Sequence, residues 1–282
     1  AALPRDTGVD GRFVVKFKQG QGGAGTVYGA VDTKDPLMPT VALKYPVSRE
    51  EQNVTRGISE RCSGCPGIPR LYTSGTHRDR PYIAQELLGR PLQDTFQRLR
   101  ACPRAERWGL ISIMGRMLIR RLEGLHRRGY VHCDVQPGNI VKGRSDGGRP
   151  WARAELFFID FGCARPFPGG PPMKGFWGSV AYNSIRSVEG GPRDPYDDLE
   201  SLGWVLCGGL FGDLPWFPWL EGCRWNGGKD HDKRLRICER IRDAKSALLD
   251  GPDRLASLGL QGRGWGELLT MPPELQRFLR LC

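Results

Sequence analysis

Over the first ninety residues apolar and polar positions alternate in short runs, and this period of two predicts strands. Such runs cover residues 11–18, 26–31 (just after a glycine cluster), 40–44 and 81–88. Between the third and fourth, residues 48–62 carry a helical pattern, with Ser48 placed to cap it and Glu50 and Glu51 in its first turn. From Arg90 onward the period lengthens. Within 108–128, apolar side chains recur at 110, 111, 114, 117, 118, 122 and 125, the stripe of a buried amphipathic helix. Residues 199–211 are apolar nearly all round, which predicts a helix in the centre of its domain. The expected fold class is α+β: a small β-rich lobe over 1–89 and a larger, mainly helical lobe over 90–282, joined near residues 88–91. No internal repeat is visible.

Composition narrows the function classes. The chain has 282 residues, 39% hydrophobic and 26% charged, which excludes a disordered or fibrous protein. Its net charge of +11 favours anionic partners such as nucleotides, phosphoproteins or acidic peptides, with a merely solvated basic surface as the equal alternative. Arginines are scattered from Arg5 to Arg280 without a dense basic block, so nucleic acid is not favoured. Nine cysteines lack framework spacing. The C-x-x-C at Cys62–Cys65 has no second pair at zinc-ribbon spacing, and a reducing cytoplasmic or nuclear setting is expected. The longest mostly apolar stretch, 202–211, is half a membrane span and holds three glycines, so no membrane association is expected.

Four motifs carry chemistry. Gly20-Gln21-Gly22-Gly23-Ala24-Gly25-Thr-Val27 fits G-x-G-x-x-G-x-V, a spacing shared with dinucleotide-binding turns. Strand-like residues follow it rather than a helix, so a hairpin whose glycines let backbone N–H groups approach phosphates fits better. Val41-Ala42-Leu-Lys44 places a lysine inside a strand, where it would reach beneath that hairpin. Tyr130-Val-His132-Cys133-Asp134-Val-Gln136-Pro-Gly-Asn139 sets an aspartate and an asparagine five residues apart on one loop. Phe157-Phe-Ile159-Asp160-Phe-Gly162 puts a carboxylate at the end of an apolar strand, where a hard cation ligand is wanted.

In this order the four elements resemble the protein kinases: glycine loop, V-A-I-K lysine, H-R-D-x-x-x-x-N loop and D-F-G. Segments 85–89, 178–185 and 197–203 further resemble the casein kinase 1 and vaccinia-related kinase group, and the compact, divergent chain would suit a viral member. The resemblance runs from about Val14 to Trp216. It implies a bilobal fold using ATP and Mg²⁺ on protein substrates, as a monomer. Lys44 would hold the α- and β-phosphates, Asp134 would accept the proton of the substrate hydroxyl, and Asn139 and Asp160 would ligate Mg²⁺. Gln85 falls at the gatekeeper position. Glu86 and Leu88 would offer hinge backbone groups to adenine, with Val27, Ala42, Val141 and Ile159 as apolar walls. Asp198 resembles the aspartate that braces the catalytic loop.

The chain also departs from that pattern. Cys133 replaces the arginine of H-R-D, and residues 160–177 contain no Ser, Thr or Tyr, so both halves of a phosphorylation switch are missing together. Gln136 stands where Ser/Thr kinases carry a lysine, which removes a charge from the γ-phosphate. The helix glutamate that should pair with Lys44 has three candidates. Glu60 has the more ordinary separation and is preferred over Glu51, which sits better in the apolar stripe, and Glu50. Arg165, Lys174, Arg186 and Arg193 point to acidic or already phosphorylated peptides as substrates. Two readings follow: an active Ser/Thr kinase, for which the four retained residues argue, and a pseudokinase acting as a binding or scaffolding module.

Overall fold

Ten residues from Phe13 to Gly22 and eight from Gly25 to Asp32 form an antiparallel hairpin, because their alternating side chains bury one face and their glycines permit the turn. A computed structural model of the chain describes residues 2–22, 25–144, 155–170, 178–189, 192–221 and 231–282. Two compact units result: residues 1–90 with 141–164, and residues 91–140 with 165–282.

The first unit is built on a six-stranded antiparallel sheet. Its strands are β1 (Gly8–Val9), β2 (Phe13–Gly22), β3 (Gly25–Asp32), β4 (Thr40–Tyr45), β5 (Leu71–His77) and β6 (Arg80–Glu86), in the order β1-β2-β3-β4-β6-β5. Periodicity anticipated β2, β3, β4 and β6. It missed β5, whose Thr, Ser and Gly break the alternation, and β1, which is two residues long. Residues Phe13, Val15, Tyr28, Ala30, Val41, Leu43, Tyr82 and Ala84 form the buried cluster on one face. Side chains alternate across a strand, so Ala42 and Lys44 share the opposite face. Register sets Val27 beside Lys44, and Gln85 beside Ala42, on that same face. Helix α1 (Arg49–Arg61) begins where expected: Ser48 Oγ accepts the Glu51 N–H at 3.0 Å, and Cys62 closes the last turn. The unit is completed by the short strands Ile140–Lys142 and Leu156–Phe158, which pair with each other.

The second unit is helical. It contains α2 (Leu92–Leu99), α3 (Arg104–His126), α4 (Pro195–Phe211), α5 (Phe217–Leu220), α6 (His231–Asp250), α7 (Pro252–Ser257), α8 (Arg263–Leu269) and α9 (Pro273–Leu281). The predicted central helix is α4. Every residue from Glu200 to Leu210 is buried, and α2, α3, α8 and α9 all pack on it. A capping box starts it: the Asp194 side chain accepts from the helix backbone while Asp197 accepts the Asp194 N–H. The last seventy residues complete this unit, and α9 lies so close to α4 that Leu279 leaves no room for a side chain at Gly203. Trp216 packs between Trp204 and Trp265, with Trp219 tilted against Trp265 beyond. The tryptophans at 177 and 225, which the sequence leads one to expect in the packing of this lobe, lie outside the described residues.

Candidate active site

In the first unit the site is built around Lys44. Its Nζ donates to Glu51 Oε1 at 2.5 Å and to Asp160 Oδ1 at 2.8 Å. The lysine side chain is 12% exposed and that of Glu51 only 4%, so this is a buried pair with a half-buried third member. Burial alone would lower the lysine, but the charges of Asp160 and Glu51 outweigh it and hold the ammonium above its ordinary pKa. Burial pushes Glu51 upward, against the pull of Lys44. The preference for Glu60 is overturned: Glu60 is exposed on α1, as is Glu50, while Glu51 is buried on the same face as Thr55 and Ile58. Helix period, not separation along the chain, decides which carboxylate reaches the sheet.

Asp160 adopts a left-handed conformation (φ 63°) at the start of the single turn Phe161–Cys163, against which α1 packs. That backbone, uncommon outside glycine, swings its carboxylate back toward Lys44. The glycine hairpin lies on the other side of β3. At Gly20 and Gly22 no atom stands within 4 Å of where a Cβ would be, so their backbone is approachable. Gly25 is a different case, since a Cβ there would strike the Pro46 carbonyl and its φ is 134°. Gly23 and Ala24, at the tip, lie outside the described residues. Gln85, Glu86 and Leu88 occupy the end of β6 and the turn after it; Glu86 N–H donates to Arg70 O, and Gly89 N–H to Lys142 O. Ala42 and Val141 are buried, and Val27 and Ile159 half-buried.

In the second unit the loop 132–139 gathers Asp134, Gln136 and Asn139. Asn139 Nδ2 donates to the Asp134 main-chain oxygen at 3.0 Å and to Oδ2 at 2.7 Å. Gln136 Nε2 lies 3.0 Å from both Asp134 oxygens, and Ser179 N–H donates to Oδ1 at 2.7 Å. Beneath the loop, buried Asp198 accepts the backbone N–H groups of His132 at 2.7 Å and Cys133 at 2.8 Å, and its Oδ2 lies 2.8 Å from His126 Nε2. Cys133 is left-handed (φ 63°), which turns Asp134 away from that brace. Gly178 (φ 74°) passes so close that a Cβ would sit 2.6 Å from the Cys133 carbonyl.

Of the four cations expected to recognise acidic peptides, three are placed otherwise. Arg186 pairs with Asp194 at 2.6 Å and Asp197 at 2.8 Å, Arg165 and Arg193 are buried, and Lys174 lies outside the described residues. Sequence reasoning passed over Lys245 and Glu200, which with Trp216 hold the backbone next to Ser179, because a lysine and a glutamate on helices read as solvated.

The family model for the protein kinase domain matches residues 13–240, about four fifths of the chain. The chain belongs to the protein kinase family: ATP-using transferases with a curled β-sheet lobe and a helical lobe. Among the described residues no helix is long and apolar enough to cross a membrane.

Proposed function

We propose that the protein transfers the γ-phosphoryl group of Mg·ATP to Ser or Thr of protein substrates, as a member of the casein kinase 1 and vaccinia-related group. The observation that carries this reading is the ion pair of Lys44 with Glu51. A helix lacking that glutamate would be one of two grounds for a pseudokinase, and the Lys44–Glu51 pair removes it. The other, Gln136, leaves an amide able to hydrogen-bond but not to neutralise charge.

In this reading Lys44 binds the α- and β-phosphates, and the backbone of Gly20, Gln21, Gly22, Gly23, Ala24 and Gly25 covers them. Glu86 and Leu88 meet the adenine edge behind gatekeeper Gln85, and Val27, Ala42, Val141 and Ile159 line its faces. Asp134 orients the acceptor hydroxyl and takes its proton; the bonds from Ser179, Asn139 and Gln136 fix the carboxylate for that task. The donor set suits Mg²⁺: Asp160 offers a half-exposed carboxylate, and Asn139 commits its NH₂ to Asp134, which turns its amide oxygen into the available hard ligand. When bound, the ion would neutralise charge on the phosphates.

The absence of Ser, Thr and Tyr from 160–177 and the cysteine at 133 support activity without phosphorylation of that segment. The net charge of +11 supports acidic or already phosphorylated protein substrates, although Arg165, Arg186 and Arg193 are not the residues to read them. The test is transfer of labelled γ-phosphate from Mg·ATP to casein and an acidic Ser/Thr peptide, with phosphoamino-acid analysis of the product and Asp134→Asn as control. Phosphoserine or phosphothreonine that disappears in the control supports the reading. Folded protein that binds ATP yet transfers nothing overturns it in favour of the pseudokinase.

A further inference from the structure

In the second unit, α4 and α6 bury one lysine completely. Lys245 lies 1% exposed with its Nζ 5.2 Å from the ring centre of Trp204 and 5.3 Å from that of Trp216. A cation is costly to bury and tends to be kept where it has a partner to hold. Its partner here is a backbone atom: Nζ donates to the Asn183 carbonyl at 2.6 Å. Asn183 N–H in turn donates to the Ser179 carbonyl at 3.0 Å, and Ser179 N–H to Asp134 Oδ1 at 2.7 Å.

Other side chains grip the same short segment. Glu200 accepts the Ile185 N–H at 2.9 and 3.1 Å, and Trp216 Nε1 donates to the Ala181 carbonyl at 2.9 Å. Trp204 Nε1 secures Glu200 at 2.9 Å. Backbone 181–185 is therefore clamped from beneath by three buried side chains, and Ser179, two residues upstream of it, donates to the carboxylate proposed as the proton acceptor.

From this geometry we infer that Lys245 is a positioning residue for phosphoryl transfer, setting the Asp134 carboxylate through Asn183, the turn 179–183 and the Ser179 N–H. The inference rests on the reading of Asp134 given above. It has a pH signature as well. Burial pushes the Lys245 ammonium down to about 7, against the opposing influence of Glu200 and Cys207 on α4 and Cys238 on its own helix. Burial also raises Glu200 above the ordinary carboxylate value, while it takes Cys207 up to about 12 and so out of the neutral range. The charged amine makes the stronger bond to Asn183, so the positioning is best below about 7 and relaxes above it.

The experiment compares wild type with Lys245→Met, which keeps the volume, and Lys245→Arg, which keeps a permanent charge. Each is measured for kcat, KM for ATP, thermal unfolding and the pH dependence of kcat from 6 to 8.5. Lys245→Met should lose roughly 5- to 20-fold in kcat with KM for ATP unchanged, and the decline of kcat above about pH 7 should vanish. Lys245→Arg should restore kcat without restoring that decline. A folded Met variant with wild-type kcat, or either folded variant that retains the decline, overturns the inference. Should Met prevent folding, the Arg variant decides by the same criterion.

The amide of Ser179, followed by ¹⁵N–¹H spectroscopy on unliganded protein, keeps this inference separable from the kinase reading. Its shift should titrate near pH 7 in wild type and not in Lys245→Met. A wild type that transfers no phosphate but shows this titration sinks the catalytic reading alone. An amide that does not titrate sinks the relay.

Discussion

Replacing Glu51 by glutamine removes one charge from the Lys44 pair and leaves the side chain's shape. The glutamate side chain is 4% exposed and 2.5 Å from the ammonium, so solvent screens little of the interaction. Removing one partner of a buried pair costs about 3–5 kcal/mol. Glutamine can still accept a hydrogen bond and Asp160 still neutralises the lysine, so the cost falls below that range, to roughly 2–3 kcal/mol. If that stabilisation belongs to the transition state, kcat/KM for ATP should fall about 30- to 150-fold. Glu60→Gln, on the exposed face of α1, should change it by less than about threefold.

The pH dependence carries a second check. Because burial raises Glu51, the folded chain holds that proton to higher pH than the unfolded one. The carboxyl's contribution to stability is then greatest in acid and falls as pH rises through its raised value. Lys44 is also raised, so its contribution stands in full below the ordinary lysine value of about 10.4 and is lost only as pH climbs past the raised one. Activity, which needs the ionised pair, should fall on acidification sooner than an ordinary carboxylate would cause. Steady-state kinetics of casein phosphorylation from pH 5 to 8 would show this acid limb in wild type and its absence in Glu51→Gln. Equal impairment of Glu60→Gln, or an acid limb that survives in Glu51→Gln, would refute the assignment.

Gln136→Lys should raise kcat, by about 3- to 10-fold, because a positive charge replaces a neutral amide beside Asp134; single-turnover kinetics would detect it. Asp198→Ala strips the acceptor from the His132 and Cys133 N–H groups, and at about 1–3 kcal/mol for each unmet donor it should lower the unfolding temperature by several degrees in calorimetry. Phosphatase treatment should leave kcat undiminished, since residues 160–177 hold no hydroxyl to phosphorylate, and a large loss on dephosphorylation would contradict this.

Much of the candidate site is legible in the sequence, and the exceptions share a cause. The β3 and β4 strands and α1 announce themselves by period and by the Ser48 cap, and Lys44, Asp134, Asn139 and Asp160 stand at motif spacings. The Lys44 partner was misread because separation along the chain was weighed above the helix face. Position 51 falls four and seven residues before Thr55 and Ile58, and that stripe, visible in the sequence, names the buried glutamate. Lys245 shares the stripe of Cys238, Ile241 and Leu248 on α6, so its burial is legible by the same period, but the tryptophans and the Asn183 carbonyl that meet it come from far along the chain and only the fold brings them together. The strand β5 escaped because its register comes from pairing with β6, not from its own alternation.

The helix α4, enclosed from Glu200 to Leu210, gives the helical unit an internal clock. Amide protons along that stretch have no solvent-facing side through which a small fluctuation could release them, so their exchange with deuterium must wait for the unit to open as a whole. Their protection factors would therefore read the unit's global free energy directly. A change at Asp198 or Lys245 that merely loosens the loops would leave this clock untouched, whereas one that weakens the scaffold would quicken it.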